Sequence, residues 1–156
     1  MRIKGIKKIY LTMAAVPLGL LPAYGYAQSL PITVTASEDL NFGSFIPNAG
    51  GTVTVNTVGA RSSSGSVTLI GGGGIEREGL MSISAAPSFP IDVSMTASSF
   101  NMNNGGNAMA VNNFDLGGGP GNPIVISVTA GTSIVPVGGT LVVGGSQASG
   151  SYTGTF

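Results

Sequence analysis

The sequence predicts an all-β protein: an immunoglobulin-like antiparallel β-sandwich of about eight or nine short strands, preceded by an N-terminal signal peptide helix. Three observations support this fold class. Apolar residues alternate with Thr and Ser in short runs, as expected for strands with one buried and one exposed face. Clusters of Gly, Asn and Pro separate these runs at fairly regular spacing. Beyond the first segment, no window shows the 3.6-residue apolar repeat of an amphipathic helix.

The first segment, residues 1–27, has the organisation of a bacterial secretory signal peptide. Four basic residues come first, an apolar run follows over residues 9–21, and small residues precede a cut after Ala27. The apolar run contains Pro17 and is shorter than the roughly 20 residues of a membrane-spanning helix, so we expect no membrane insertion after cleavage. Residues 28–156 then form a single exported domain in the periplasm, on the outer cell surface or outside the cell.

The charge that is left after cleavage argues against nucleic acid as a partner. The mature chain keeps two arginines against six acidic residues, a formal net charge of −4, whereas phosphate binding needs clustered Lys and Arg. The sequence also has no Cys and no His. Since these residues build the usual zinc, copper and iron sites and activate nucleophiles, we expect no cofactor and no enzyme activity.

The apolar alternation places the strands in order along the chain. The first run carries Leu30, Ile32 and Val34 on one face and threonines on the other, which predicts a strand with one buried face. The later runs occupy residues 52–55, 67–69, 80–84, 91–96, 108–111, 124–129, 141–143 and 151–156. Six phenylalanines are interpreted as core residues at strand ends: Phe42, Phe45, Phe89, Phe100, Phe114 and Phe156.

Residues 137–156 are predicted to form a β-hairpin whose second strand has only begun where the sequence stops. The edge beside that strand is then unfinished, and an unfinished edge can accept a strand from another copy of the chain or from another secreted β-protein. The N-terminal run is a candidate donor, although Pro31 limits its pairing. The predicted interaction edge consists of Tyr152, Gly154, Phe156, Leu30, Ile32 and Val34.

Paired carboxylates could serve as the acid and base of a glycoside hydrolase. Glu38 and Asp39 are adjacent, and adjacent residues of a strand point to opposite faces. Glu76 and Glu78 lie in a stretch with the character of a solvated loop. No catalytic residue is therefore predicted.

A Gly-rich loop over residues 112–122 offers oxygen ligands for a hard cation such as calcium. Asp115, Asn113 and Asn122 are the candidate ligands. Their spacing matches no EF-hand or repeat-type calcium loop, so an ordinary solvated loop is favoured over a calcium site.

Seven short strings occur in an order that resembles a known family, the secreted bacterial domain of unknown function numbered four thousand four hundred and two. That family is itself similar to spore-coat-U-like and chaperone–usher pilin-like β-sandwiches. The resemblance covers nearly the whole mature chain. The strings are Asp39-Leu40-Asn41-Phe42-Gly43, Gly51-Thr52-Val53-Thr54-Val55, Gly59-Ala60-Arg61, residues 64–69, residues 105–111, residues 137–143 and residues 147–156.

The resemblance implies an immunoglobulin-like sandwich exported by Gram-negative bacteria, with no assigned activity and no catalytic residues to carry over. Members of the family usually continue past the Gly-Thr-Phe ending with a strand of alternating Thr and Val. The resemblance therefore implies that the final strand is either truncated in this chain or supplied by another chain.

Three functions stay open on the sequence. The first is a non-enzymatic structural or adhesive module of pilin-like kind, completed or polymerised by strand addition. The second is a soluble carbohydrate-binding or calcium-binding module that uses residues 112–122. The third is a truncated domain without an independent function.

Overall fold

The computed structural model describes residues 32–71, 76–85, 89–118, 124–128 and 131–155. These ranges contain strands and no helix, hence no helix that could cross a membrane. The prediction of an all-β fold is confirmed, while the predicted signal peptide lies outside the described residues. In chain order the strands are β1 (Ile32–Glu38), β2 (Phe45–Ile46), β3 (Gly50–Val55), β4 (Arg61–Gly65), β5 (Thr68–Leu69), β6 (Gly79–Ala85), β7 (Phe89–Val93), β8 (Ser99–Asn104), β9 (Asn107–Asp115), β10 (Ile124–Val128) and β11 (Gly131–Gly144).

The long strand β11 organises the main sheet. Residues 131–137 pair antiparallel with β6, which in turn pairs with β1. Residues 139–144 pair with β3 on one side, and residues 138–141 pair with β9 on the other. With β4 beside β3 and β8 beside β9, the sheet has seven strands, and two short pairs, β2 with β5 and β7 with β10, lie apart from it. Because the two halves of β11 have different neighbours, the sheet curls into two sandwich-like layers. The first half of β11 lies in a layer with β6 and β1, and the second half lies in a layer with β3, β4, β8 and β9.

Gly138 lies at the point where β11 passes from one layer to the other. A β-carbon at this position would lie 2.8 Å from the carbonyl oxygen of Val55, too close for any side chain. The register against β9 also shifts here, because two residues of β9 face one residue of β11. Asn113, one of these two, takes a positive φ of 49°, the backbone of a β-bulge.

The core lies between the two layers. Alternate residues of β3, β6, β9 and β11 supply its largest fully buried side chains, which are Ile83, Leu141, Val53, Val55, Val111, Val135 and Val137. Four of the predicted core phenylalanines are buried or packed against this cluster: Phe42, Phe114, Phe45 and Phe100. The rings of Phe100 and Phe114 stack with their centroids 5.5 Å apart. The side chains of Phe89 and Phe156 lie outside the described residues.

The predicted hairpin over residues 137–156 is wrong. Residues 131–144 form one continuous strand inside the sheet, and the chain then turns away from it. Pairing resumes only at Thr153, as a single antiparallel bridge to Asn103 of β8. The alternation identified a segment that can pair, but it carries no information about which strand is the neighbour.

The predicted burial of the N-terminal run is also wrong. β1 forms as expected, yet Ile32 and Val34 are both exposed, as are all other residues of the strand. The reason is the position of β1 at the edge of the sheet, where it pairs only with β6 among the described strands.

Candidate functional site

An open groove of about 1070 Å³ runs between β1 and the C-terminal segment, residues 145–155. We call it the edge groove. Among the described residues that line it, only Glu38 and Asp39 are charged, and both lie where β1 ends. Most of the remaining lining is apolar and comes from both layers, for example Leu40, Phe42, Phe45, Met81, Phe100 and Met102.

The groove exists because the inward face of β1 is uncovered. In the β1–β6 pair, Val34 lies opposite Ile83 and Ile32 lies opposite Ala85. Residues directly opposite each other in an antiparallel pair point to the same face of the sheet. Ile83 and Ala85 are buried in the core, whereas Ile32 and Val34 are about half exposed. Two β-branched apolar side chains on the inward face are therefore only about half buried.

Arg61 fixes one wall of the groove, the loop between β1 and β2. Its guanidinium, with the side chain only 6% exposed, lies 3.2 Å from the carboxylate of Glu76. It donates hydrogen bonds to the carbonyl oxygens of Phe42 and Ser44 at 3.0 and 3.1 Å. A further bond of 3.0 Å goes to the carbonyl oxygen of Ile70. One buried cation thus ties the loop to two other parts of the chain.

The opposite wall is the C-terminal segment, which is held by Tyr152. The Tyr152 hydroxyl donates to the carbonyl oxygen of Ala148 at 2.8 Å and accepts from the Gln147 amide at 2.7 Å. One residue further on, Thr153 and Asn103 exchange two backbone hydrogen bonds of 2.7 and 3.1 Å. The segment is therefore anchored to the edge of β8, and that strand has no other neighbour on this side among the described strands.

The structure brings together two parts of the predicted interaction edge that are far apart in sequence. Val34, Tyr152 and Gly154 all line the edge groove, with Val34 on one side and the two C-terminal residues on the other. Ile32 lies beside them on the exposed strand β1. Two predicted edge residues, Leu30 and Phe156, lie outside the described residues.

The candidate calcium ligands are only partly described. The Asp115 carboxylate accepts a hydrogen bond from the backbone N–H of Gly117 at 2.8 Å. Asn113 is exposed at the bulge of β9, and Asn122 lies outside the described residues. Within the described ranges, no three His, Cys, Asp or Glu side chains come together in a way that could hold a metal ion. The calcium site stays a prediction.

Sequence reasoning missed the role of the residues between β1 and β2. The sequence predicts no structural role for Glu38 and Asp39, but Glu38 forms an ion pair of 3.1 Å with Arg77, and both acids lie at the end of the groove. Leu40 was noted only within a family string, and it contributes to the apolar lining. The sequence signal for this role is the apolar alternation of the loop, which continues the alternation of β1.

The sequence that forms this edge strand and this groove matches one known protein family. Residues 32–156 match the family described as Domain of unknown function (DUF4402). No curated protein and no solved structure matches the chain. The match extends over most of the sequence and confirms the resemblance inferred from its seven strings. The chain belongs to the DUF4402 family of domains of unknown function.

Proposed function

We propose that this protein is a non-enzymatic, exported structural or adhesive module of pilin-like kind, whose sandwich is completed by a strand added along the edge groove. The observation that carries the proposal is the uncovered inward face of β1. A strand that is added here covers Ile32 and Val34 and closes the open side of the core.

Strand addition suits the chemistry of this edge. Among the described strands, β1 pairs only with β6, so the backbone N–H and C=O groups of its other side are free to form a ladder. Burying the exposed halves of Ile32 and Val34 contributes about 1 kcal/mol for each residue. The largely apolar lining of the groove provides pockets for the alternate side chains of an extended segment.

The export part of the proposal rests on the first 27 residues and has its own test. The full chain is expressed in a Gram-negative host, the cells are fractionated, and the amino terminus of the product is sequenced. We expect a mature product that begins at Gln28 in the periplasm, on the cell surface or in the medium. An uncleaved product that stays in the cytoplasm would contradict export.

Strand completion is tested by extending the chain. A seven-residue extension of alternating Thr and Val is added after Phe156, and a matched extension has Ser in place of each Val. The added residues follow directly on the C-terminal segment, which forms one wall of the groove, so they start next to the groove. We expect the Thr/Val extension to raise the Tm by several degrees relative to the Thr/Ser extension, as a gain of about 2 kcal/mol implies. Equal Tm values for the two extended proteins would contradict the proposal.

A further inference from the structure

We infer that the strand added at this edge is β1 of a second copy of the same chain, so that the protein forms a two-fold symmetric dimer through β1. The inference rests on the proposed function, because it names the partner of the same edge. It is carried by the residue pattern and the charges of β1 and by the contrast with the opposite edge of the sheet.

The residue pattern of β1 is self-complementary. Ile32, Val34 and Ala36 point to the inward face, since they lie opposite residues of β6 that are buried in the core or packed against it. When two copies of β1 pair antiparallel about a two-fold axis normal to the sheet, the inward faces of both copies lie on the same side. A register centred on Val34 places Val34 against Val34 of the second copy and Ile32 against Ala36 of the second copy. The exposed apolar side chains of both copies are then neighbours.

The charges favour the antiparallel arrangement. β1 carries no charge from Ile32 to Ser37, so the residues that pair bring no like charges together. Its one charged residue, Glu38, lies at the end of the strand. In the register centred on Val34, the two copies of Glu38 lie about 27 Å apart along the strands, whereas parallel pairing would place them side by side.

The opposite edge of the sheet lacks these features. β4 presents Ser62, Ser63 and Ser64, and Arg61 is committed to its buried hydrogen bonds. Ser63 lies opposite the buried Val53, so the inward position at this edge carries a hydroxyl where β1 carries Val or Ile. That hydroxyl donates to the carbonyl oxygen of Val67 at 3.3 Å. The uncovered apolar face thus belongs to β1 and not to β4.

Cysteine cross-linking tests the dimer directly, because the chain has no cysteine of its own. Val34→Cys is introduced into the exported full chain, with Ser64→Cys on β4 as the matched control. Residues directly opposite each other in an antiparallel pair have β-carbons about 4.5–5.5 Å apart, close to the span of a disulfide. We expect oxidation to convert most of the Val34→Cys protein into a covalent dimer while Ser64→Cys stays monomeric. Equal cross-linking of the two variants, or none in either, would overturn the inference.

A second measurement does not depend on a thiol. Sedimentation of the unmodified protein over a hundred-fold range of concentration is compared with that of Val34→Lys, since a charge on an edge strand opposes pairing. We expect a dimer that dissociates on dilution, and a Lys variant that is monomeric throughout with an unchanged far-UV circular dichroism spectrum. A monomer at every concentration for the unmodified protein overturns the inference. If the Thr/Val extension nevertheless raises the Tm, the groove accepts a strand and only the choice of a second copy is rejected.

Discussion

Val34 lies directly opposite Ile83 in the antiparallel pair of β1 and β6, yet Val34 is 56% exposed and Ile83 is 2% exposed. Both side chains point to the inward face of the same sheet. The difference follows from the position of the two strands, since β6 has β1 and β11 as neighbours, whereas β1 pairs only with β6 among the described strands. An apolar side chain on the inward face therefore contributes more to the free energy of unfolding on β6 than on β1.

This contrast predicts the effect of truncating each side chain. Ile83→Ala leaves a cavity in a closed core and should lower the free energy of unfolding by about 2–5 kcal/mol. Val34→Ala removes a half-exposed group and should cost less than about 1 kcal/mol. Urea denaturation at a concentration where the protein is monomeric measures both values. Similar losses for the two variants would show that β1 is covered as well as β6.

Arg61 is predicted to be a major determinant of stability. Arg61→Met leaves three backbone carbonyl groups without their donor and should cost about 3 kcal/mol. Arg77→Met is the matched control, because its ion pair with Glu38 joins two side chains that are each about 40% exposed. Such a surface pair contributes less than about 1 kcal/mol. Thermal unfolding of both variants measures the difference, and a Tm for Arg61→Met no lower than that of Arg77→Met would refute the assigned role.

The layer crossing of β11 predicts that Gly138 tolerates no side chain. In Gly138→Ala the new β-carbon meets the carbonyl oxygen of Val55 at 2.8 Å, so the backbone must shift at a cost of about 1–3 kcal/mol. Gly144→Ala lies on the same strand. Its new β-carbon would lie 3.5 Å from its nearest neighbour, the side-chain oxygen of Gln147. The control variant should therefore keep the stability of the unmodified protein. Chemical denaturation of the pair checks this, and equal stability would argue against a tight crossing.

The hydroxyl of Tyr152 is predicted to hold the C-terminal segment against the groove. Tyr152→Phe keeps the ring and removes two hydrogen bonds, so we expect a local loosening of about 1 kcal/mol. Amide hydrogen exchange at Thr153 and Asn103 should accelerate about five-fold, while exchange in β3 stays unchanged. Thr155→Ala is the control, since Thr155 is exposed at the end of the described segment. Unchanged exchange at Thr153 would mean that the bridge to β8 does not depend on the hydroxyl.

Much of the fold could be predicted because period-2 alternation is a local property. The runs around Val53 and Ile83 bury one face, and the structure confirms both strands. Which strand a segment pairs with, and whether its apolar face is buried, are not local properties. Thr153 pairs with β8 and not with its own preceding strand, and Val34 is exposed because β1 lies at the edge of the sheet. Neither fact is encoded in the alternation of the strand itself.

The candidate site was accessible from the sequence only in part. Val34 and Tyr152 were assigned to one interaction edge, and they line the same groove. The sequence predicts no structural role for Arg61, because its partners are backbone carbonyl groups of remote loops, which residue types do not reveal. The loop residue Leu40 was missed for a related reason, since its contacts depend on the curl of the sheet.

The position of β11 in the chain has a consequence for how the protein is made. Both layers need this strand as a neighbour, and it comes only after 130 residues have been synthesised. Until then β3, β6 and β9 lack their shared partner, and most pairings link segments that are distant in sequence. The main sheet can therefore close only after residues 131–144 have been added to the growing chain.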